Sequence, residues 1–295
     1  MKLSLISSGQ LDREKFDECT KQSGNLFMKR WSLDALCNRW SALVLEDYEA
    51  VLPLPHKTRY FIPYVYQAPF IPRISMGGRW SENAKQKAAA VLKKHFAIIH
   101  LDVDQGVLPI EWTTGIRKNY LLQLDGIYED VYNASYSDEC KRNLKKAISR
   151  GCNIEASEDW DGIIRLYHDV YGRLPGNHLK KGYLNAARFA RTAYKQGNCK
   201  GYKIYANNGE LLFGGIIITG EQRIYYWLGA PTAKGREHRV TYFFIDYLIH
   251  LFAGSGKTFD FEGSDIPGVA KFYAGFTRSY EEYATVQGGW LSSLI

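Results

Sequence analysis

The clearest alternation of apolar and polar positions in the chain lies at residues 259–276, FDFEGSDIPGVAKFYAGF. Its first two phenylalanines alternate with two carboxylates, Asp260 and Glu262, so a strand would direct the rings to one side and the carboxylates to the other. Gly263 permits a tight turn out of that strand. The pattern therefore predicts a strand at 258–262, a turn with polar side chains, and a short helix carrying the sequence FY.

The remainder of the chain alternates further strands with helices. We expect strands at 3–6, 42–45, 50–54, 60–66, 96–103, 119–124, 153–156, 201–206, 211–219, 223–228 and 280–286, and helices at 12–20, 32–37, 82–94, 138–150, 160–171, 183–196 and 238–252. Ser264 or Asp265 is expected to cap the short helix after residue 263, with Pro267 in its first turn. This order predicts an α/β protein with two domains, residues 1–128 and 129–295.

Composition favours a globular protein with a substantial core. The chain has 295 residues, of which 45% are hydrophobic and 14% aromatic. A net charge of +7 fits phosphate-rich partners such as a nucleotide cofactor, RNA or an anionic surface, and it equally fits an ordinary solvated basic surface. Five scattered cysteines without a CxxC pair indicate reduced thiols, a cytoplasmic location and no metal site. No apolar run approaches the length of a membrane span.

Residues 200–286 resemble the Gcn5-related N-acetyltransferase (GNAT) fold, because a hairpin, a strand, a loop, a long helix, a strand, a short helix and a final strand follow in that order. The sequence AKFYAGF at residues 270–276 is similar to the A-x-x-F-Y…G-F ending of many GNAT proteins. FDFEG at residues 259–263 is closer to the Fem-type aminoacyltransferases. The resemblance implies two tandem GNAT-like domains with mixed central sheets, flanking helices and a cleft between the halves.

The resemblance also implies the chemistry of direct acyl transfer to an amine. Tyr273 would be the general acid, and Glu262 or Asp260 would draw a proton from the amine through water. The backbone at Leu228 and Gly229, where two strands splay apart in this fold, would stabilise the oxyanion. The structural alternatives are a tyrosine that only packs and carboxylates that are paired with nearby cations.

Basic residues at the expected start of the helix at 238–252 would hold the phosphates of an acyl donor. They are Lys234, Gly235, Arg236 and Arg239. An ordinary basic turn is the alternative. The loop has one glycine where the usual acetyl-CoA loop has a fuller glycine pattern, and Tyr273 stands where Fem proteins carry lysine. A second basic face, made of Lys141, Arg142, Lys145 and Lys146, fits either an RNA backbone or a solvated helix surface.

Three hypotheses about function follow from the resemblance. The first is a Fem-like N-acyltransferase that moves an acyl or aminoacyl group to an amine in a ternary complex, with aminoacyl-tRNA as donor. The second keeps the reaction and replaces the donor with acyl-CoA. The third is a catalytically inactive GNAT-like binding module. The expected partners are a small-molecule or peptide amine and, for the first hypothesis, tRNA; no metal is expected.

Overall fold

The computed structural model describes residues 2–172, 180–263 and 266–292. Within it the chain divides into two compact units. Unit 1 comprises Met1–Lys118 and Glu282–Ile295, and unit 2 comprises Asn119–Glu281. The division lies ten residues before the predicted boundary and returns the end of the chain to unit 1. In the described residues no helix is both long enough and apolar enough to cross a membrane.

Unit 1 takes most of its elements from the first hundred residues. Its strands are β1 (Leu3–Ser7), β2 (Trp40–Leu45), β3 (Ala50–Arg59), β4 (Ile62–Tyr66), the two-residue β5 (Gly77–Gly78) and β6 (Ile98–Asp104), and its helices are α1 (Arg13–Lys21), α2 (Arg30–Leu36) and α3 (Glu82–His95). Local side-chain caps start two of the helices: Asp12 accepts a hydrogen bond from the Lys15 amide, and Ser81 accepts one from the Ala84 amide.

The following elements lie in unit 2, apart from the first part of one strand and most of another. They are β7 (Thr113–Gln123), α4 (Tyr128–Ser135), α5 (Asp138–Ser149), β8 (Cys152–Ala156), α6 (Trp160–Tyr171), α7 (Lys180–Lys195), β9 (Cys199–Ala206), β10 (Leu211–Thr219), β11 (Arg223–Pro231), α8 (Ala233–Glu237), α9 (Val240–Phe252), β12 (Thr258–Asp260), α10 (Pro267–Tyr273) and β13 (Tyr280–Gly288). The first part of β7 belongs to unit 1, as does β13 from Glu282 onward.

The two sheets repeat one strand order. Unit 1 has the order β1-β2-β3-β4-β6-β13, with β5 beside β3, and unit 2 has the order β8-β9-β10-β11-β12-β7. In each sheet one pair is parallel, β4 with β6 and β11 with β12, and the other pairs along these orders are antiparallel. This is a mixed α/β architecture, as the sequence predicts.

The strand predicted at 258–262 is two residues too long at its C-terminal end. β12 stops at Asp260, and Glu262 and Gly263 both adopt left-handed backbone, with φ of 61° and 57°. Glu262 therefore does not share a strand face with Asp260. The next helix begins at Pro267, as expected. Ser264 and Asp265, the predicted caps, lie outside the described residues.

The single helix predicted at 238–252 is interrupted at its start. Arg239 has φ of 57°, so the chain breaks there between α8 and α9. The predicted donor-binding residues are therefore on a five-residue helix and at the break after it, not in the first turn of a long helix. A helix that the sequence analysis missed, α4, occupies the segment expected to join the domains.

Close packing explains why a glycine lies within α8. A Cβ at position 235 would overlap the carbonyl oxygen of Leu212 on β10. The Thr232 amide donates to the same carbonyl oxygen, at 2.9 Å, and this bond fixes where α8 begins. Gly235 thus lets α8 lie directly on the sheet, which is a structural reason for a residue that was predicted to bind the donor.

We expect Gly235→Ala to destabilise the protein by about 1–3 kcal/mol, because an added methyl must displace backbone in a packed contact. Alanine has the higher helix propensity, by about 1 kcal/mol, so the sign of the change tests the steric argument. Urea unfolding of this variant should be compared with that of Gly115→Ala, since a Cβ at position 115 meets nothing within 4 Å. A Gly235→Ala protein as stable as the parent would contradict the packing account.

Candidate active site

A cavity of about 490 Å³ opens in unit 2. Its described lining residues come from α6, β11, α8, α9 and α10 and from the turn after β12. Of the residues predicted to be functional, Tyr273, Glu262, Gly229, Arg236 and Arg239 all line it. These five residues lie as much as 44 positions apart in the chain and are brought together by the fold.

The cavity lies where two parallel strands part. β11 and β12 pair at three positions, the last joining Tyr225 to Asp260, and β12 then ends. β11 continues to Pro231, paired on its other side with β10. The backbone of β11 beyond Tyr225 consequently has no strand on the β12 side, as the sequence analysis expected for this pair of strands.

A β-bulge on β11 decides which amide points to the open side. Ile218 pairs with Tyr225 and Ile216 pairs with Leu228, so two residues of β11 oppose the single Ile217. The Thr232 amide bonds to Leu212, and hydrogen-bonded pairs alternate along antiparallel strands, so Leu228 bonds toward β10. Gly229, one residue on, directs its N–H away from β10.

Of the two predicted oxyanion positions, the geometry therefore favours Gly229. Gly229 lines the cavity, whereas Leu228 is buried and outside the lining. A Cβ at position 229 would overlap the hydroxyl group of Tyr226, so glycine allows the phenol to lie against the strand. An N–H fixed in this way is the kind of donor that stabilises a developing oxyanion.

Four of the tyrosines that line the cavity lie close to one another: Tyr167, Tyr171, Tyr226 and Tyr273. The rings of Tyr226 and Tyr273 meet edge to face, with centroids 6.3 Å apart, and those of Tyr167 and Tyr171 are 5.0 Å apart. Burial raises the pKa of Tyr273 well above its usual value near 10, and Tyr167, Glu262 and Tyr171 raise it further. Tyr273 thus keeps its proton at neutral pH, as a general acid must.

The two candidate carboxylates have separate environments. Glu262 lines the cavity. Asp260 lies outside the lining and is buried, and its oxygens accept hydrogen bonds from Arg223 Nη1 at 2.7 Å and Asn119 Nδ2 at 3.0 Å. The Glu262 amide donates to Asp260 Oδ1 at 2.8 Å. Asp260 is therefore paired with a nearby cation, which was the alternative to a catalytic role for this residue. It contributes to the cavity by holding the backbone of Glu262 in place.

Only some of the basic residues that were predicted to bind the donor line the cavity. Arg236 and Arg239 line the cavity, and Arg239 Nη1 donates to Asn143 Oδ1 at 2.5 Å. Lys234 lies outside the lining and forms an exposed ion pair with Glu237 at 3.0 Å. In the first turn of α8, the Gly235 amide donates a hydrogen bond to the Thr232 hydroxyl oxygen at 3.0 Å. The N-terminus of α8 is therefore already capped.

Most of the tyrosines in the cavity wall were not predicted from the sequence. Tyr167 and Tyr171 are four residues apart on α6, so both fall on one helix face, and this spacing was visible in the sequence. Tyr226 could not be assigned, because the bulge changes which way residues of β11 point. In the described part of the chain, no group of three His, Cys, Asp or Glu residues could hold a metal ion.

In unit 1 the space beyond the parallel pair of strands is filled by the chain itself. β4 pairs with β6 only at residues 64–66, and farther along β6 the residue Ile74 takes the neighbouring place. The Ile74 amide donates to the Asp102 carbonyl oxygen at 2.8 Å, and the Asp104 amide donates to the Ile74 carbonyl oxygen at 3.2 Å. An opening like that beside β11 is therefore absent at this place.

Solved structures share this architecture over nearly the whole chain. FemX matches 97% of this chain and 97% of its own at 14% identity, with a TM-score of 0.59. L-PGS from Bacillus licheniformis matches 95% of this chain and 92% of its own at 13% identity, with a TM-score of 0.58. A tandem GNAT protein from the clavulanic acid biosynthesis pathway matches 97% and 98% at 11% identity, with a TM-score of 0.53.

The chain has the tandem-GNAT fold of Fem-type proteins. No family model matches the chain, and no curated protein matches its sequence. At 11–14% identity the likeness is one of fold, so the roles of Tyr273, Glu262 and the other site residues stay predictions. A cleft between the halves of the tandem-GNAT fold also stays a prediction.

We expect Arg223→Met to destabilise the protein by about 3–5 kcal/mol, because it leaves the buried Asp260 carboxylate without its cation. Arg223→Lys is the matched control, since it keeps a positive charge within reach of Asp260. Urea unfolding at pH 7 gives both values. If Arg223→Met is no less stable than Arg223→Lys, the ion pair does not hold the end of β12.

Proposed function

We propose that the cavity of unit 2 catalyses N-acyl transfer, by direct attack of an amine on an acyl or aminoacyl donor. One observation carries the proposal: the outward N–H of Gly229, the buried phenol of Tyr273 and the Glu262 side chain meet at a single cavity, beside the opening between β11 and β12. These groups are the oxyanion donor, the acid and the base that amine acylation requires.

The proposed reaction is a single displacement through a tetrahedral intermediate. The amine nitrogen forms a bond to the acyl carbon, and Glu262 takes the proton that the amine loses. The Gly229 N–H donates a hydrogen bond to the carbonyl oxygen as negative charge develops on it. The bond to the leaving oxygen or sulfur then breaks, and Tyr273 gives that atom a proton. No covalent bond to the protein forms.

Two features favour an aminoacyl ester of tRNA over acyl-CoA as donor. The Gly235 amide of α8 is already bonded to Thr232, so this turn offers less to a pyrophosphate than an open helix N-terminus would. A phenol of raised pKa is also a better match to an alkoxide leaving group than to a thiolate, because an alkoxide is the stronger base. Arg236 and Arg239 would then contact the phosphates at the tRNA end.

Part of the cavity wall fits an amine acceptor. The aromatic rings of Tyr167, Tyr171, Tyr226 and Tyr273 and the carboxylate of Glu262 can attract an ammonium group, whereas Arg236 and Arg239 in the same lining suit the phosphates of the donor. We therefore propose a small-molecule or peptide amine as acceptor.

A donor titration tests the proposal most directly. A ligand present at about a hundred times its dissociation constant stabilises the fold by about 2.7 kcal/mol, so a thermal shift should be plain. We expect aminoacylated tRNA to bind with strong salt dependence and CoA to give no shift. A thermal shift with CoA and no tRNA binding would indicate that acyl-CoA is the donor. No response to CoA or to tRNA would favour a catalytically inactive binding module.

Substitution of the acid and the base should separate catalysis from binding. We expect Tyr273→Phe and Glu262→Gln each to lower kcat by about 10²–10⁴-fold, which is the range for a lost general acid or base. Tyr205→Phe on β9, outside the lining, is the control. Single-turnover transfer from a radiolabelled donor measures the effect, and unchanged transfer in both variants would overturn the site assignment.

The pH dependence of transfer tests the environment of Tyr273. Because burial raises its pKa above 10, we expect kcat to show no alkaline loss from Tyr273 between pH 7 and pH 10. The sign follows from the protonation state, since a general acid of raised pKa stays protonated as the pH rises. A rate that falls by half below pH 10 in the parent and stays flat in Tyr273→Phe would contradict this account.

A further inference from the structure

The turn between β3 and β4 exposes two aromatic side chains in a strained backbone. Tyr60 and Phe61 join Arg59 to its strand partner Ile62, and they are 80% and 99% exposed. Both have positive φ, 49° and 64°, which gives a two-residue hairpin turn that normally takes Asn-Gly. Aromatic residues at both positions cost conformational energy and expose apolar surface, so folding alone does not account for them.

A third exposed aromatic residue lies at the same end of the unit 1 sheet. The Ala97 amide donates to the Pro63 carbonyl oxygen, and the Ala97 carbonyl oxygen accepts from the Leu291 amide. Trp290, which is 51% exposed, precedes Leu291. Two strand spacings, roughly 10 Å in all, thus separate the backbone at Pro63 from that at Leu291. We call Tyr60, Phe61, Ile62 and Trp290 the aromatic apex.

Four cations lie in the segments that carry this apex. Lys57 and Arg59 lie on β3 behind the turn, and Lys93 and Lys94 are exposed in the last turn of α3, just before Ala97. The three segments that form this end, residues 57–64, 93–98 and 288–292, contain no Asp or Glu. The surface is therefore apolar at its tip, and the three segments that carry it are together basic.

We propose that the aromatic apex docks unit 1 onto an anionic lipid bilayer. Arg59 directly precedes the turn and Lys57 lies two residues farther back along β3, so the apolar side chains enter first and the cations follow at the depth of the phosphates. Tyrosine and tryptophan are the residues that favour this interface. The surface fits RNA less well, because the aliphatic Ile62 offers no stacking face to a base and the Arg59 guanidinium, 5.2 Å from the centre of the Tyr60 ring, already covers one face of that ring.

The variant Tyr60→Asn with Phe61→Gly tests the apex without endangering the fold. Asn-Gly suits the turn, so we expect a higher Tm than the parent. Co-sedimentation of the full chain with vesicles of phosphatidylcholine containing phosphatidylglycerol should show binding by the parent and roughly tenfold weaker binding by the variant. Leu184→Ser on α7 in unit 2, where the side chain is 71% exposed, is the matched control and should bind like the parent.

The charge requirement has its own variant. Arg59→Gln with Lys93→Gln and Lys94→Gln should bind the same vesicles about 100-fold more weakly, and the salt dependence of binding should fall. Vesicles of phosphatidylcholine alone should bind the parent weakly. Failure of the parent to bind anionic vesicles overturns the proposal. So does tight binding of an RNA oligonucleotide that the apex variant abolishes while vesicle binding stays intact.

Discussion

The buried carboxylate of Asp260 is the constraint on which the cavity depends. A carboxylate removed from water must be satisfied, and here Arg223 of β11, Asn119 of β7 and the amide of Glu262 satisfy it. The first two bonds tie β12 to the strands on either side at its last paired position. The third turns the chain back on itself, so that the sheet ends and the cavity begins at the same residue.

The opening beside β11 follows from that ending. A strand that loses its neighbour leaves backbone groups without a partner in the sheet, and such groups are normally costly when buried. The bulge opposite Ile217 shifts the alternation by one residue, so Gly229 presents its N–H to the cavity. Glycine there also leaves room for the Tyr226 phenol. The bulge in β11, the absence of a side chain at Gly229 and the buried ring of Tyr226 together leave a backbone N–H directed at a polar ligand.

Sequence patterns predicted the elements that depend on local signals. The helix that begins at Trp160 and the strand that ends at Thr219 were both predicted from the sequence. In the structure the Asp159 side chain caps that helix. The left-handed backbone of Glu262 and the break at Arg239 could not be predicted, because both residues readily continue regular structure. Tertiary contacts, such as the hydrogen bond from the Glu262 amide to Asp260, override that preference.

The course of β7 shows why a boundary near residue 128 does not separate independent sheets. β7 follows β6 in the chain, yet its residues 121–123 pair with β12, and β13 follows β12 yet pairs with β6. A fragment of residues 129–295 would therefore lack the strand beside β12, together with the Asn119 side chain that bonds to Asp260. The segment from Asn119 to Glu281 contains both, so the cavity and the whole support of its carboxylate lie within one continuous stretch of chain.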